Sequence, residues 1–343
     1  MKVLLKIFIP LCILSFIAFG ISIPILGTND EWYSVNQPTD RTIEITEEFN
    51  EIEIDVNGYD CEIKPCDGDI AKVSISGDTN GRIKAKVSGN KLKVYSTIKW
   101  ISFRLDFWNY WNHDTNIIVE VPEKIYEELS LNNTSGNSYS TGISAKTVKL
   151  HATSGTIKYD QPDGFTTDSF KLDITSGNVS ATNVATKKYD IHETSGEINV
   201  SGLTGEGSIK STSGDIDISF ASLDGDCEFK MTSGDATLII PDDTSADIHC
   251  NKTSGEIIVS ACGATQNADN NSTIRLGDGK FKIDTDITSG HLVIKDGSTA
   301  GEAAVTTMTA ATTAATTSTH AGDVVESGVA QAMGEVSDAL EVL

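Results

Sequence analysis

The sequence predicts an all-β protein whose central body is a parallel β-helix, or β-solenoid, with coils of about 20 residues. Three observations support this prediction: the triplet Thr-Ser-Gly recurs eight times, apolar residues occupy fixed positions around each copy, and the residues between copies alternate between apolar and polar. Alternation with a period of two is typical of strands. A sequence repeat of this length is typical of solenoids, in which each coil packs only on its neighbours.

The glycines of the eight triplets set the repeat. They are Gly136, Gly155, Gly177, Gly196, Gly214, Gly234, Gly255 and Gly290, and their successive spacings are 19, 22, 19, 18, 20, 21 and 35 residues. We expect the long last interval to hold an imperfect coil around Gly277-Asp278-Gly279. A glycine at one place in every coil indicates a bend that needs either positive φ or a close backbone approach. An up-and-down β-sandwich is the structural alternative, but the regular glycine period favours the solenoid.

Two apolar columns flank each triplet and are expected to form the core. Five residues before the glycine stand Leu131, Leu150, Leu172, Ile191, Ile209, Phe229 and Cys250. Two residues after it stand Ile157, Val179, Ile198, Ile216, Ala236, Ile257 and Leu292. Stacking like residues on like would bury both columns and would place neighbouring strands about 4.8 Å apart.

Three features of the sequence resemble a known family. They are the bends of the form TSGD, TSGN or TSGE, the closing segment LGDGKFKIDTDITSGHLVI and the lead-in IIVEVPEKIYEELSLNNTSGN. Over about residues 41 to 296 the chain resembles the bacterial β-strand-repeat family usually labelled "putative adhesin", a domain of unknown function. The resemblance implies a β-helical or β-roll fold, a surface location and a single N-terminal membrane anchor. The sequence departs from the family in the aromatic stretch near Trp100 and in its Thr/Ala-rich tail.

The N-terminal segment predicts a membrane anchor. Lys2 and Lys6 precede an uncharged run over residues 7–26, and acidic residues follow it. Twenty helical residues span about 30 Å, the thickness of the hydrocarbon core of a bilayer. The lysines place the N-terminus inside and the body outside the membrane. A cleaved signal peptide, and hence a secreted protein, is the alternative.

The domain boundaries follow from these patterns. Residues 1–29 form the signal-anchor or transmembrane helix, 30–130 an N-terminal β region with an aromatic cap, and 131–297 the Thr-Ser-Gly solenoid. Residues 298–343 form an Ala/Thr-rich linker that ends in a short amphipathic helix or in a frayed tail. The aromatic cap contains Trp100, Phe103, Trp108 and Trp111. These side chains are either a platform for a glycan or protein ligand or, as we favour, a plug over the open end of the solenoid.

Charge and cysteine content exclude several classes of protein. The chain carries 26 Lys and Arg against 49 Asp and Glu, for a formal net charge of −23. Nucleic acid and anionic lipid are therefore unfavourable partners. Cys12 lies in the apolar N-terminal run, and the five other cysteines are too few for a disulfide framework. Cys61 and Cys66 are close enough in the sequence to pair across a tight turn, and Cys250 either pairs with Cys262 or is a buried thiol.

The residues directly after four triplets are acidic: Glu197, Asp215, Asp235 and Glu256. Stacked coils would set these carboxylates about 4.8 Å apart, a weak candidate for Ca²⁺. Each coil offers one carboxylate, so the favoured interpretation is a row of solvated turns, and we predict no metal or other cofactor. The histidines are scattered, and eight copies of Thr-Ser-Gly cannot each be a strained nucleophile elbow, so we predict no catalytic residues.

The functional expectation is a non-catalytic, membrane-anchored extracytoplasmic module for surface adhesion or cell-envelope interaction, with a glycan or protein ligand. One alternative is an envelope-stress or assembly accessory protein that contacts other membrane proteins. A second alternative is a β-helix enzyme that acts on polysaccharides.

Overall fold

A computed structural model describes residues 39–78, 81–97, 115–261 and 264–297. Within these ranges 23 β-strands join through hydrogen bonds into one sheet. The strands are β1 (Thr39–Ile45), β2 (Glu51–Asp55), β3 (Asp60–Cys66), β4 (Ala71–Asp78), β5 (Ile83–Ser88), β6 (Lys91–Ser96), β7 (Asn116–Pro122), β8 (Tyr126–Asn133), β9 (Asn137–Thr141), β10 (Ala145–Ala152), β11 (Thr156–Asp160), β12 (Ser169–Ile174), β13 (Asn178–Thr182), β14 (Lys188–Glu193), β15 (Glu197–Leu203), β16 (Glu206–Phe220), β17 (Cys227–Ile240), β18 (Ala246–Lys252), β19 (Glu256–Ala261), β20 (Ala264–Asn267), β21 (Ser272–Leu276), β22 (Phe281–Ile287) and β23 (His291–Asp296).

Each coil contributes one strand before its Thr-Ser-Gly bend and one strand after it. The strands before the bend form the first face, and the strands after it form the second face. β8, β10, β12 and β14 pair in parallel on the first face, and β9, β11, β13 and β15 do so on the second. β16 and β17 run unbroken through the bend and belong to both faces. The prediction of an all-β, solenoid-like stack of parallel strands is confirmed.

The predicted apolar columns form the core because the parallel register sets like residues on like. Leu131, Leu150 and Leu172 are direct neighbours on the first face, and Ile157 and Val179 are neighbours on the second. All five side chains are at most 2% exposed. The alternation of buried and exposed residues along each strand is therefore the reason why this sequence folds into sheets that are apolar inside and polar outside.

The order of the coils in the stack differs from their order along the chain at both ends. β2 lies between β6 and β8, and β3 lies between β7 and β9. At the other end β22 lies between β17 and β18, and β23 lies between β17 and β19. The first coil and the last coil of the domain are thus inserted one level inside the stack.

The prediction of an imperfect coil around Gly277-Asp278-Gly279 is wrong. The interval between the seventh and eighth triplets instead forms β20 and β21, which pair antiparallel with β19 and β18. Gly277 and Gly279 lie between β21 and β22, with φ of 56° and 68°. The chain reverses direction there and returns into the stack as β22. At the opposite end β5 and β4 pair antiparallel with β6 and β7 in the same manner.

Close backbone approach explains the bend glycines. A Cβ atom built on Gly177 would lie 2.3 Å from the carbonyl oxygen of Gly155, and one on Gly196 would lie 2.3 Å from that of Gly177. These distances leave no room for a side chain. Gly136, Gly234 and Gly290 also have positive φ, between 105° and 135°. Both reasons that the sequence offers for the glycine therefore apply, and they coincide at these three levels.

The disulfide that the spacing of Cys61 and Cys66 would allow is not formed. Both residues lie on the single strand β3, not across a turn, and both thiols are free. Residues five apart on an extended strand are separated by about 16 Å and point to opposite sides. Cys250 is a buried free thiol, and Cys262 lies outside the described residues.

The predicted membrane anchor, residues 1–29, lies outside the described residues and stays a prediction. Within the described part of the chain, no helix is both long and apolar enough to cross a bilayer. The chain divides into one compact unit that ends at Gly297 and a second unit, Ser298–Leu343. The predicted linker and tail fall in the second unit, which also lies outside the described residues.

Candidate binding groove

The two sets of site residues predicted from the sequence have different outcomes. Trp100, Phe103, Trp108 and Trp111 lie outside the described residues, so their role stays a prediction. Glu197, Asp215, Asp235 and Glu256 lie on the second face, directly after the bend.

The carboxylate column is interrupted. Glu197 pairs in register with Asp215, and Asp215 pairs with Asp235. His291 then follows, between Asp235 and Glu256, because the coil that contains β23 is inserted at this level. The His291 Nε2 atom lies 3.5 Å from Glu256 Oε2. The prediction of four carboxylates in consecutive levels is therefore wrong for Glu256. Among the residues that the structure describes, no group of three or more His, Cys, Asp or Glu is placed to hold a metal ion.

A polar groove of about 480 Å³ runs along the stack beside the bend and crosses five coils. We call it the bend groove. Its walls and floor are formed by Asp173, His192, Glu193, Thr194, Lys210, Ser211, Thr212, Lys230, Met231, Thr232, Asp286 and Thr288.

Charged side chains of the first face form one wall. Asp173, His192, Lys210, Lys230 and Asp286 follow one another in register. The cationic groups are thus central, and a carboxylate stands at each end of the wall. Since neighbouring strands are about 4.8 Å apart, the two end carboxylates are about 19 Å apart.

Neighbouring carboxylates outside the groove fix two of these side chains. His192 Nε2 is 2.8 Å from Asp190 Oδ1, and Ser208 donates a hydrogen bond to the same oxygen at 3.0 Å. Burial alone would raise the pKa of Asp190, but these two hydrogen bonds lower it. Lys230 Nζ lies 2.5 Å from Glu228 Oε1, and this hydrogen bond raises the pKa of Lys230. Within the described residues no ion pair is formed by Lys210.

The threonines of four triplets form the opposite wall. Thr194, Thr212, Thr232 and Thr288 are exposed at successive levels. Backbone hydrogen bonds hold this wall rigid: Ser213 N donates to the carbonyl oxygen of Thr194 at 2.9 Å, and Ser289 N donates to that of Thr232 at 2.8 Å. Because the backbone groups are already paired, the threonine hydroxyls are available to solvent or to a ligand.

Glu193 lies beneath the centre of the groove. Its side chain points inwards from β14, and the residue is only 4% exposed. Ser211 donates a hydrogen bond from Oγ to Glu193 Oε2 at 2.7 Å, whereas Oε1 has no hydrogen-bond partner within the described residues. Burial raises the pKa of Glu193, although the bond from Ser211 acts in the opposite direction. A buried acceptor that lacks a donor is costly and is most often explained by a water or a ligand.

Gly214 leaves the space that this carboxyl group occupies. A Cβ atom at Gly214 would lie 1.9 Å from Glu193 Oε1. Here the bend glycine accommodates a buried acid, in place of the carbonyl oxygen that it contacts at other levels.

Comparison with known proteins assigns the family. The family model described as Toastrack DUF4097 matches residues 49–295. The chain belongs to the Toastrack DUF4097 family. This assignment confirms the resemblance seen in the sequence. No curated protein matches the chain.

Several solved structures are similar to this Toastrack chain. A "putative adhesin" from Bacteroides fragilis NCTC 9343 is 14% identical, with a TM-score of 0.44, over 76% of this chain and 97% of that chain. A "putative lipid binding protein" from Parabacteroides distasonis ATCC 8503 is 16% identical, with a TM-score of 0.39, over 76% and 96% of the two chains. A "putative cell adhesion protein" from Clostridium sporogenes ATCC 15579 is 14% identical, with a TM-score of 0.26, over 76% and 100%.

Sequence reasoning missed the bend groove in this Toastrack chain, although a signal for its charged wall exists. The residue four positions before the triplet glycine is charged or titratable at six levels, namely His151 and the five residues of the wall, Asp173, His192, Lys210, Lys230 and Asp286. Reading that column across coils, in the manner used for the apolar columns, would have found the wall. No sequence signal shows that Glu193 is buried or that the coil of Asp286 follows that of Lys230.

Proposed function

We propose that this Toastrack protein is a non-catalytic interaction scaffold that binds a surface or cell-envelope ligand outside the cytoplasmic membrane, with residues 1–29 as its anchor. The observation that carries the proposal is the distribution of its side chains. The interior of the stack is filled by apolar columns, and the polar side chains stand in register on two extended faces.

Such a body presents ordered groups over a long surface. Solenoids commonly bind along extended surfaces of this kind. The large negative charge supports a body that stays in solvent and does not lie on an anionic membrane surface.

The first test is a ligand screen with the full chain in lipid nanodiscs, against arrays of glycans and matrix proteins and against solubilised envelope proteins. We expect saturable binding to at least one member and no chemical change in it. Stable capture of envelope proteins alone would favour an accessory role over adhesion. Depolymerisation of a polysaccharide that a single carboxylate substitution abolishes would overturn the proposal.

A second test concerns topology. Protease that is added to intact cells should digest residues 39–297. Protection of this region until the membrane is permeabilised would contradict an extracytoplasmic body.

A further inference from the structure

We propose that the bend groove binds an extended saccharide chain that carries carboxylate groups, a uronate-containing glycan. This inference rests on the proposed scaffold function and assigns a site and a ligand class to it. Three features of the groove support it: its shape, its hydroxyl wall and its pattern of charge.

The shape fits a linear polymer. The groove crosses five coils along the direction of stacking, so it extends over about 19 Å. A chain that lies along it meets the same kind of wall at each level, at a regular spacing. A compact small molecule would use only part of this length.

The threonine wall fits a ligand rich in hydroxyl groups. Thr194, Thr212 and Thr232 each offer a hydroxyl that can donate one hydrogen bond and accept others. The terminal carboxylates, Asp173 and Asp286, can accept hydrogen bonds from further sugar hydroxyls. Each of these groups is already positioned by its strand, so little conformational entropy is lost when a ligand binds.

The charge pattern favours a ligand with few, spaced carboxylates. Lys210 lies in the middle of the groove and has no ion-pair partner within the described residues, so a ligand carboxylate can pair with it. A densely charged polymer such as nucleic acid would also meet Asp173 and Asp286, which repel it. A neutral glycan would leave the charge of Lys210 unused. An acidic saccharide can pair a carboxylate with Lys210 at the centre of the groove and donate hydroxyl hydrogen bonds to Asp173 and Asp286 at its ends.

The test uses the full chain in nanodiscs and three probes: a short oligogalacturonate in which most carboxylates are methyl-esterified and a few, spaced ones are free, its full methyl ester, and a neutral oligoglucan of similar length. Binding is measured by calorimetry for the wild type and for Lys210→Gln, Thr212→Val and Lys171→Gln. Lys171 is exposed on β12 of the same face but does not line the groove, so Lys171→Gln is the matched control for a lost positive charge.

We expect the oligogalacturonate to bind more tightly than the methyl ester and the neutral glucan. Lys210→Gln should weaken it about ten- to hundredfold, since a charge-assisted hydrogen bond is lost, and Thr212→Val should weaken it several-fold. Lys171→Gln should leave the affinity unchanged. Thermal unfolding of each variant checks that the fold is retained.

Three results would overturn the inference: no oligogalacturonate binding, equal weakening by Lys171→Gln, or wild-type affinity in both groove variants. If the ligand screen finds another partner while oligogalacturonate fails, the scaffold function stands and only the groove assignment falls. If neither finds a ligand, both fall.

Discussion

Gly290 lies between Gly234 and Gly255 in the stack, although it is the last of the three along the chain. A Cβ atom on Gly290 would be 2.5 Å from the carbonyl oxygen of Gly234, and one on Gly255 would be 2.6 Å from that of Gly290. Glu256 N donates a hydrogen bond to the carbonyl oxygen of Gly290 at 2.9 Å. The last coil is therefore enclosed on both sides, between the sixth and the seventh Thr-Ser-Gly coils.

Destabilising this inserted coil should destabilise the whole domain. Leu292 lies on β23 and is fully buried. We expect Leu292→Ala to lower the free energy of unfolding by about 2–5 kcal/mol, because it removes packing contacts and leaves a cavity between two other coils. Urea unfolding followed by circular dichroism measures the change.

The control for Leu292→Ala is Ile125→Ala, at a side chain that is 57% exposed. Its effect should stay within about 0.5 kcal/mol. If Leu292→Ala melted only a local segment and left the main unfolding transition in place, the inserted coil would not be needed to hold the rest of the stack together.

The glycine contacts predict a strong position dependence for Gly→Ala substitutions. Gly196→Ala should lower the free energy of unfolding by about 1–3 kcal/mol, because the new methyl group would lie 2.3 Å from the carbonyl oxygen of Gly177 and the coils must separate. The matched control is Gly68→Ala, where a Cβ atom would meet nothing within 4 Å. Equal stability of the two variants in urea titrations would contradict close packing at the bend.

The buried Glu193 predicts a specific pH dependence of stability. Its pKa in the folded state is raised above the ordinary value of 4.5 by burial. Between these two pKa values the folded state holds more protons than the unfolded state, so the stability falls as the pH rises through this window. Glu193→Gln removes the ionisable group and therefore this loss of stability. The variant should be more stable than the wild type at neutral pH, and the difference in stability should be smaller below pH 4.5.

The measurement for Glu193 is a series of urea titrations from acidic to neutral pH. Glu197→Gln, at an exposed carboxylate of the next strand, is the control and should show no such trend. A wild type that is more stable than Glu193→Gln at neutral pH would show that the ionised carboxyl group is stabilised in the fold.

The four described cysteines should differ in reactivity. Burial raises the pKa of Cys61 to about 12 and that of Cys227 to about 11, and it also raises the pKa of Cys250. Only the thiolate is nucleophilic, so these thiols should be inert in the folded protein. Cys66 is partly exposed and should react with iodoacetamide first, as mass spectrometry of peptides can show. Recovery of a peptide with Cys61 and Cys66 joined would restore the disulfide.

Much of the fold could be predicted from the sequence because the information is local and repeated. In the strands that contain Leu150 and Leu172, the alternation of apolar and polar residues determines which side of the strand is buried. The triplet glycine determines the position of the bend in each coil. The charged wall of the groove could be read from one column of the repeat, but the groove as a whole could not be predicted. Its walls combine side chains from five coils, and Glu193 is buried only because Gly214 of the next coil leaves space for it.

The amino-acid sequence by itself determined the all-β class, the period of the coils, the residues that form the core and the membership of the family. The tertiary structure alone decided the order in which the coils stack, the interruption of the carboxylate column by His291 and the position of the bend groove. The physical reason is that all Thr-Ser-Gly coils present nearly the same hydrogen-bonding edge, so each coil can pair with any other. Strands β20 and β21, which run antiparallel to β19 and β18, carry the chain back to the level at which the last coil enters.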